Sequence, residues 1–398
     1  MGQNKKKKIV WLYTHLLFWT GGTRFVLEVT KRLKGFYDIC IIVEKASPEI
    51  KNECRQNGIE VREIGLLTST SLIYWLIFPL MLKLHERRIR KEIMDADIVI
   101  SGMFPMNVIA TRLEKPTIQN CWEPFAFFYD EQMINGFSFS KRTLLRMLAV
   151  LYSRLDIAAT RKSNVVTTLN YSTEEWVRRV YGRSGIKTYM GVDTDFFMPT
   201  STSLSKKKGK KVILHSTDYT LMKGTGYLIE ALPLIVEKMV DVKVLITNTV
   251  ENEKERTGIL KRAEMLEVDK YIEFIGTVPY KKLPEYYSFA DLVAFTGHPE
   301  SIGTTASLSV LEAMACETPV VRSTGCDEEV EDGISGILVD PRNKVKLADA
   351  IIKILSDEDL AKKMGKEGRN RVLTIYNWDS VSRRFSEVIS ELIKKGEA

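Results

Sequence analysis

The residues with the clearest chemistry lie between Asp291 and Pro319, in DLVAFTGHPESIGTTASLSVLEAMACETP. The segment reads as a strand (LVAF), a loop rich in Gly, Ser and Thr, and a helix opening near Ser307 to Ser309. A helix start carries unpaired backbone N–H groups and the positive end of the macrodipole, so it suits a phosphate. Glu312 falls about one turn into that helix, where a carboxylate can accept hydrogen bonds from a ribose diol beside the phosphates. An ordinary strand–loop–helix unit with a solvated Glu has the same pattern, so the surrounding elements must decide.

The chain has 398 residues, too many for one ordinary core, and two domains of roughly 150–200 residues are expected. An apolar content of 44% and a charged content of 27% fit a soluble globular protein. The net charge of +7 is unevenly placed, in Lys5 to Lys8, in HERRIRK from His85 and in SKKKGKK from Ser205. Such runs serve as solvated surface or linker, or attract anionic lipid and phosphate-bearing substrates. Nucleic acid is disfavoured, because no zinc-finger spacing, recognition-helix pattern or RNP-like motif accompanies the charge. The five cysteines, Cys40, Cys54, Cys121, Cys316 and Cys326, are odd in number and form no CxxC pair. That predicts a reducing compartment and no structural metal site. No signal peptide is expected, since KKKKIVWLYT runs straight into a strand-like segment, and a cytoplasmic location follows as the default.

The elements that would position this chemistry alternate in both halves. KIVWLY reads as a buried strand, followed by a loop with Gly21 and Gly22 and an amphipathic helix, RFVLEVTKRLKG. YDICIIVE, ADIVISG, PTIQNC and NVVTTLN continue the strands, as in a parallel sheet covered by helices. The polar, basic stretch 200–211 reads as a linker. KVILHST, VKVLITN, YIEFIGTV, DLVAFTG, TPVVRST and SGILVD then repeat the pattern with helices between them. The expected fold is α/β, with two doubly wound Rossmann-like domains, 1–199 and 212–378, facing a central cleft where the strands' carboxyl ends bind ligands. The helix in 379–398 is expected to cross back to the first domain.

Leu72 to Leu84, LIYWLIFPLMLKL, is almost wholly apolar and runs directly into HERRIRK. As a helix kinked at Pro79 it would be about 20 Å long, short of the roughly 30 Å hydrocarbon core. Two readings stand: a buried interdomain helix, or an interfacial helix whose basic flank, within 72–91, lies on an anionic leaflet.

Five motifs in order resemble those of the retaining glycosyltransferases of family four, which have the two-domain GT-B architecture. They are MGVDTDFFMP, MKGTGYLIEAL, IEFIGTVPYKKLPEYYSFADLVAF, SVLEAMACETPVV and EEVEDGISGILVDP. The resemblance implies a carboxyl-terminal domain that binds a nucleotide-sugar donor without an essential metal or other cofactor. Lys223 and Gly224 would meet the donor diphosphate, Ser307, Leu308 and Ser309 would offer it the helix start, and Glu312 would hold the ribose. Asp193 to Asp195 imitates a metal-binding DxD, but its position matches the family's run before the linker, which implies no metal role.

The sequence departs from the family pattern at several positions. Thr304 stands where an acidic residue meets the donor sugar, so Glu300 and Thr304 remain alternatives for that contact. Asp218 stands where an Arg assists the lysine on the diphosphate, which leaves Lys223 with Ser and Thr hydroxyls such as that of Thr217. In the amino-terminal domain, Gly21 and Gly22 match the glycine-rich first turn and would approach the donor or the acceptor. Trp122 replaces an expected His, leaving Glu123 as the polar group beside the acceptor. His15 and His298 lie at strand ends without an assigned role.

The implied function is transfer of a sugar, with retention, from a nucleotide sugar to a glycan or lipid-linked acceptor near the membrane. Lys223, Glu300 and Glu123 are the catalytic candidates. The alternatives are a non-catalytic nucleotide-sugar-binding scaffold and a sugar-nucleotide epimerase of the same architecture.

Overall fold

The computed structural model describes residues 6–65, 67–204, 210–216, 223–248, 253–302, 307–325 and 328–397. The chain divides into two compact units, Met1–Met190 with Trp378–Ala398, and Gly191–Asn377.

The first unit is built on a seven-stranded parallel sheet. Its strands are β1 (Lys8–Leu16), β2 (Asp38–Ala46), β3 (Glu60–Glu63), β4 (Ile98–Ser101), β5 (Thr117–Asn120), β6 (Val165–Thr168) and β7 (Ile186–Lys187). Their order is β3-β2-β1-β4-β5-β6-β7. The order reverses between β1 and β4, and in open parallel sheets that switch point opens a crevice at the strands' carboxyl ends.

Continuous apolar runs are what a sheet covered on both faces requires, and β1 supplies one, with Ile9 to Leu12 all buried. Trp11 faces one side, stacking on Phe385 with ring centroids 5.3 Å apart and meeting Phe25 edge-on. Those partners come from the helices Trp378–Glu397 and Gly21–Leu33, so the last helix of the chain belongs to this unit's core. Tyr37 and Ser390 hydroxyls, 3.0 Å apart, and an Arg32–Asp379 pair at 2.6 Å fasten it further. Val10 and Leu12 face the opposite side, in a cluster with Tyr74, Phe78 and Ile109.

Asp156 is buried in the same unit and accepts hydrogen bonds from Asn107 Nδ2 (2.6 Å), Tyr181 (2.8 Å) and Tyr129 (2.9 Å). Burial pushes its carboxyl up to about 6, against the downward pull of those three donors. The network ties three other segments to one oxygen pair.

The apolar segment after Ser71 departs from the single kinked helix expected from its sequence. It forms two helices, Leu72–Leu76 and Phe78–Glu92, with the break at Ile77. Pro79 lies in the first turn of the second helix rather than at a kink. There its fixed φ is preorganised and its missing N–H costs nothing. One face is buried through Tyr74, Phe78, Met81, Leu82, His85 and Ile89, while Leu72, Ile73, Leu76 and Leu80 are each more than half exposed. Among the described residues, no helix is long and apolar enough to cross a membrane.

The second unit has a six-stranded parallel sheet. Its strands are β8 (Lys211–His215), β9 (Val242–Thr247), β10 (Ile272–Gly276), β11 (Leu292–Phe295), β12 (Val320–Ser323) and β13 (Ile337–Val339). The order β10-β9-β8-β11-β12-β13 repeats the first unit's pattern, with the switch point between β8 and β11. Ile213, Val244, Ile246 and Ala294 pack beneath the helices Thr225–Lys238 and Lys344–Ser356.

Candidate active site

The site in the second unit grows from its switch point. β8 ends at His215, and Lys223 and Gly224 lead into the helix Thr225–Lys238. His215 is fully buried, with Nδ1 2.8 Å from the Ala294 carbonyl and Nε2 2.9 Å from the Thr225 hydroxyl. A carbonyl only accepts, so Nδ1 carries the proton and Nε2 accepts from Thr225. One imidazole therefore joins β8, β11 and the helix start.

Gly224 is required there twice over. Its φ is +75°, in the left-handed region that favours glycine. A Cβ would lie 1.7 Å from the Thr296 carbonyl oxygen, and Thr296 donates its hydroxyl to the Gly224 carbonyl at 2.8 Å. This close seam sets Lys223 beside the end of β11, with Nζ 6.0 Å from the centre of the Phe295 ring.

The helix Leu308–Ala315 begins after Ser307, whose side chain meets the Ser309 hydroxyl at 2.8 Å instead of capping the first turn. The first turn also contains no acidic residue, so its dipole is not offset by a carboxylate of its own. One turn on, Glu312 is nearly buried and accepts a hydrogen bond from the Tyr287 hydroxyl at 2.8 Å. Having donated its single proton to Glu312, Tyr287 accepts from Ser216 Oγ at 3.1 Å. Burial, and then the Glu312 charge, push the Tyr287 phenol well above its ordinary range, so it stays a donor.

Glu300 is exposed and pairs with Arg342 at 2.8 Å, while its backbone N–H donates to His298 Nδ1. Arg342 also grips Asp340, holding that carboxyl below its usual range. Thr217, Asp218 and Thr304 lie outside the described residues. Asp193 accepts from the backbone N–H groups of Asp195 and Phe196, closing a local turn. Among the described residues, no group of three or more His, Cys, Asp or Glu side chains could hold a metal ion.

In the first unit, Gly21 opens the helix Gly21–Leu33 behind Thr20, which caps it by accepting from the Thr23 N–H. Gly22 has a packing reason to be glycine, since a Cβ would lie 2.5 Å from both Trp122 Cζ3 and the Tyr13 hydroxyl. Trp122 fills the space between Tyr13 and Phe25, with ring centroids 5.6 and 5.5 Å away. The glycine turn and Trp122 therefore meet directly, as close packing. Glu123 follows Trp122, half-buried, and its carbonyl accepts from the Cys121 thiol. His15 lines a cavity of the same unit, and burial holds its imidazole below the ordinary range.

His215, Tyr287 and Thr296 escaped the sequence reading. Their side chains act on other protein groups, and such partners come from strands and helices distant in sequence. The one available signal was a polar residue at the end of an otherwise apolar strand, as in KVILH and LVAFT.

Residues 200–371 match the family model of glycosyl transferases group 1. Over 241 residues the chain is 27% identical to the GDP-mannose-dependent alpha-(1-6)-phosphatidylinositol monomannoside mannosyltransferase of Mycolicibacterium smegmatis, covering 57% of this chain and 62% of that one. The match therefore spans about three fifths of that relative's length. Sucrose-phosphate synthase from Thermosynechococcus elongatus aligns with a TM-score of 0.76 at 16% identity, over 98% of this chain and 100% of that one. Anabaena HepE, in complex with UDP and glucose, aligns with a TM-score of 0.73 at 17% identity, over 97% and 100%. At such identities these structures establish the fold. The expected pair of Rossmann-like α/β domains of GT-B type is borne out, as is the family resemblance.

Proposed function

We propose that the protein is a metal-independent, retaining glycosyltransferase that moves a sugar from a nucleotide sugar to a hydroxyl of a lipid-linked or membrane-proximal acceptor. The observation that carries this reading is Glu312, held by Tyr287 one turn into a helix whose start faces no carboxylate of its own. That arrangement suits a ribose diol and a diphosphate side by side. Lys223, on the other segment leaving the switch point, adds a positive charge for the diphosphate as it departs.

In the reaction, the bond from the anomeric carbon to the diphosphate oxygen breaks as the acceptor oxygen bonds to that carbon from the same face. The acceptor's proton passes to the departing phosphate oxygen. Preorganised positive groups stabilise the charge that develops on the leaving group, and positioning supplies much of the remaining acceleration. Glu123 is the polar group assigned to the acceptor, with Gly21, Gly22 and Trp122 beside it. The mannosyltransferase relative is named for GDP-mannose and a phosphatidylinositol-linked acceptor, which supports a lipid-linked acceptor here. The exposed apolar face of Leu72–Leu76 and Phe78–Glu92, with its basic flank, supports a peripheral position on the cytoplasmic membrane face.

The test is turnover with a nucleotide sugar in the presence of a chelator, with the anomeric configuration of the product read by NMR. A product of inverted configuration, or activity lost with the chelator and restored by a divalent ion, contradicts the proposal. A second reading, a nucleotide-sugar-binding scaffold, is favoured by the Glu300–Arg342 ion pair, which engages a candidate sugar contact. Tight nucleotide-sugar binding without turnover across varied acceptors would select it.

A further inference from the structure

The first unit holds a cavity of about 590 Å³ at the end of β1, within the roughly 300–1,000 Å³ usual for small-molecule sites. Its walls are aromatic: Phe18, Trp75, Phe104, Phe125, Phe127 and Phe128. Five of these rings, all but Phe18, form a continuous surface, with Trp75 stacked on Phe104 at 5.9 Å and Phe125 against Phe104 at 5.6 Å. Trp75 is locked in place, its indole N–H donating to the Ser69 carbonyl and its own carbonyl accepting from Tyr152. Leu144, Leu145 and Leu148, from the helix Phe139–Lys162, complete the apolar lining. A mainly apolar chamber of this size gains little from water and favours hydrocarbon, whose transfer out of water is itself favourable.

The polar part of the lining is made by Tyr13, Thr14, Thr20, Ser69 and Thr70 together with one cation and one imidazole. Lys141 is the cation, its Nζ 3.7 Å from the centre of the Phe137 ring. His15 is the imidazole, and its Nδ1 is buried with no hydrogen-bond partner among the described residues. Two helices that line the cavity also carry apolar side chains into solvent. Leu72, Ile73 and Leu76 project from one, and Phe139, Val150 and Leu151 from the other, each more than half exposed. Arg142 and Arg146 lie among the latter group. An apolar rim with interspersed cations suits the boundary between acyl chains and anionic headgroups.

We infer that this cavity receives the hydrocarbon chain of a phosphate-bearing lipid, the chain lying against the aromatic wall and the phosphate meeting Lys141. The inference rests on the reading of the first unit as the acceptor side and gives that acceptor a chemical class and a seat. The lipid enters past the exposed leucines and the helix Phe139–Lys162, so its polar head stays toward the carboxyl end of β1.

The test uses the full chain in detergent-free buffer, titrated calorimetrically with dodecyl phosphate below its micelle concentration. Butyl phosphate, inorganic phosphate and dodecyltrimethylammonium serve as comparators. Dodecyl phosphate is expected to bind at least a hundred-fold tighter than butyl or inorganic phosphate, and at least five-fold tighter than the cationic amphiphile. Leu145→Trp, which fills the chamber, is expected to weaken dodecyl phosphate at least ten-fold, and Lys141→Glu to reverse the headgroup preference. Equal binding of the two chain lengths by the wild-type protein overturns the inference without relying on any variant, as does a Leu145→Trp protein that binds normally. Nucleotide binding is titrated in the same samples. Lipid binding without nucleotide binding would overturn the donor reading alone, and nucleotide binding without chain-length dependence the lipid seat alone.

Discussion

Replacing Tyr287 with Phe removes one oxygen from a buried site and leaves the ring's packing in place. That oxygen donates to Glu312 at 2.8 Å and accepts from Ser216 at 3.1 Å. Tyr287 is fully buried, so water does not readily replace the lost hydroxyl. A hydrogen bond to a charged group is worth about 1.5–3 kcal/mol net. If Glu312 binds the ribose, this loss enters nucleotide affinity as a weakening of roughly 10- to 150-fold, at tenfold per 1.4 kcal/mol. The assay is a double-mutant cycle by calorimetry, with wild type, Tyr287→Phe, Glu312→Gln and the double variant titrated with the best-binding nucleoside diphosphate. Tyr287→Phe is expected to weaken binding at least ten-fold in the wild-type background and less than about two-fold beside Glu312→Gln, because contacting residues couple. Equal losses in both backgrounds would refute the reasoning, since Tyr287 would then act through something other than Glu312.

The remaining predictions concern the first unit. Asp156→Ala leaves the amide of Asn107 and the phenols of Tyr129 and Tyr181 without their shared acceptor and should destabilise the unit by about 3 kcal/mol or more; urea denaturation checks this. Gly22→Ala drives a Cβ against Trp122 and Tyr13 and should cost about 1–3 kcal/mol, read as a lower melting temperature. Glu44 and His85 lie 3.9 Å apart and fully buried, and burial favours the neutral form of each, raising Glu44 to about 7 and lowering His85 to about 4. Because the folded state holds the Glu44 proton more tightly than the unfolded one, Glu44 costs nothing below pH 4.5 and progressively more up to pH 7. Glu44→Gln should therefore gain stability relative to wild type across that window, by an amount on the order of 3 kcal/mol. Urea titrations at pH 4.5 and 7.5 measure the gain, and an unchanged difference between the proteins would contradict it. His85 contributes an opposite slope, which is common to both proteins. Leu76→Glu with Leu80→Glu should release the protein from anionic vesicles in a sedimentation assay, while unchanged binding would remove these helices from any membrane role.

Much of the architecture was legible because parallel strands covered on both faces must be continuous apolar runs, as KIVWLY and DLVAF are. The helix start at Ser307 and the position of Glu312 were legible for the same reason, since a strand, a small-residue loop and an apolar helix fix their own boundaries. Tyr287 was not, because its role is to hold Glu312 across 25 residues of sequence, and no local pattern distinguishes it from the tyrosine before it. Gly22 was singled out for an approach to a ligand, whereas the packing reason for its small size is Trp122, a hundred residues on, which no local pattern reveals. The segment 72–84 misled as a single helix because proline breaks helices in their interior but starts them well. The aromatic cavity stayed hidden since its walls come from several separate segments, each of which reads as ordinary core.

The most direct test of the central claim is the melting temperature of the wild-type, Glu312→Ala and Lys223→Ala proteins with UDP, GDP, ADP and CMP and their sugars. A ligand that binds only the folded state raises the melting temperature, by an amount that grows with the logarithm of its concentration over its dissociation constant. The account predicts a rise with one nucleotide and its sugar, abolished by Glu312→Ala and reduced by Lys223→Ala. A rise of the same size in the Glu312→Ala protein, or none with any nucleotide in the wild type, would contradict it.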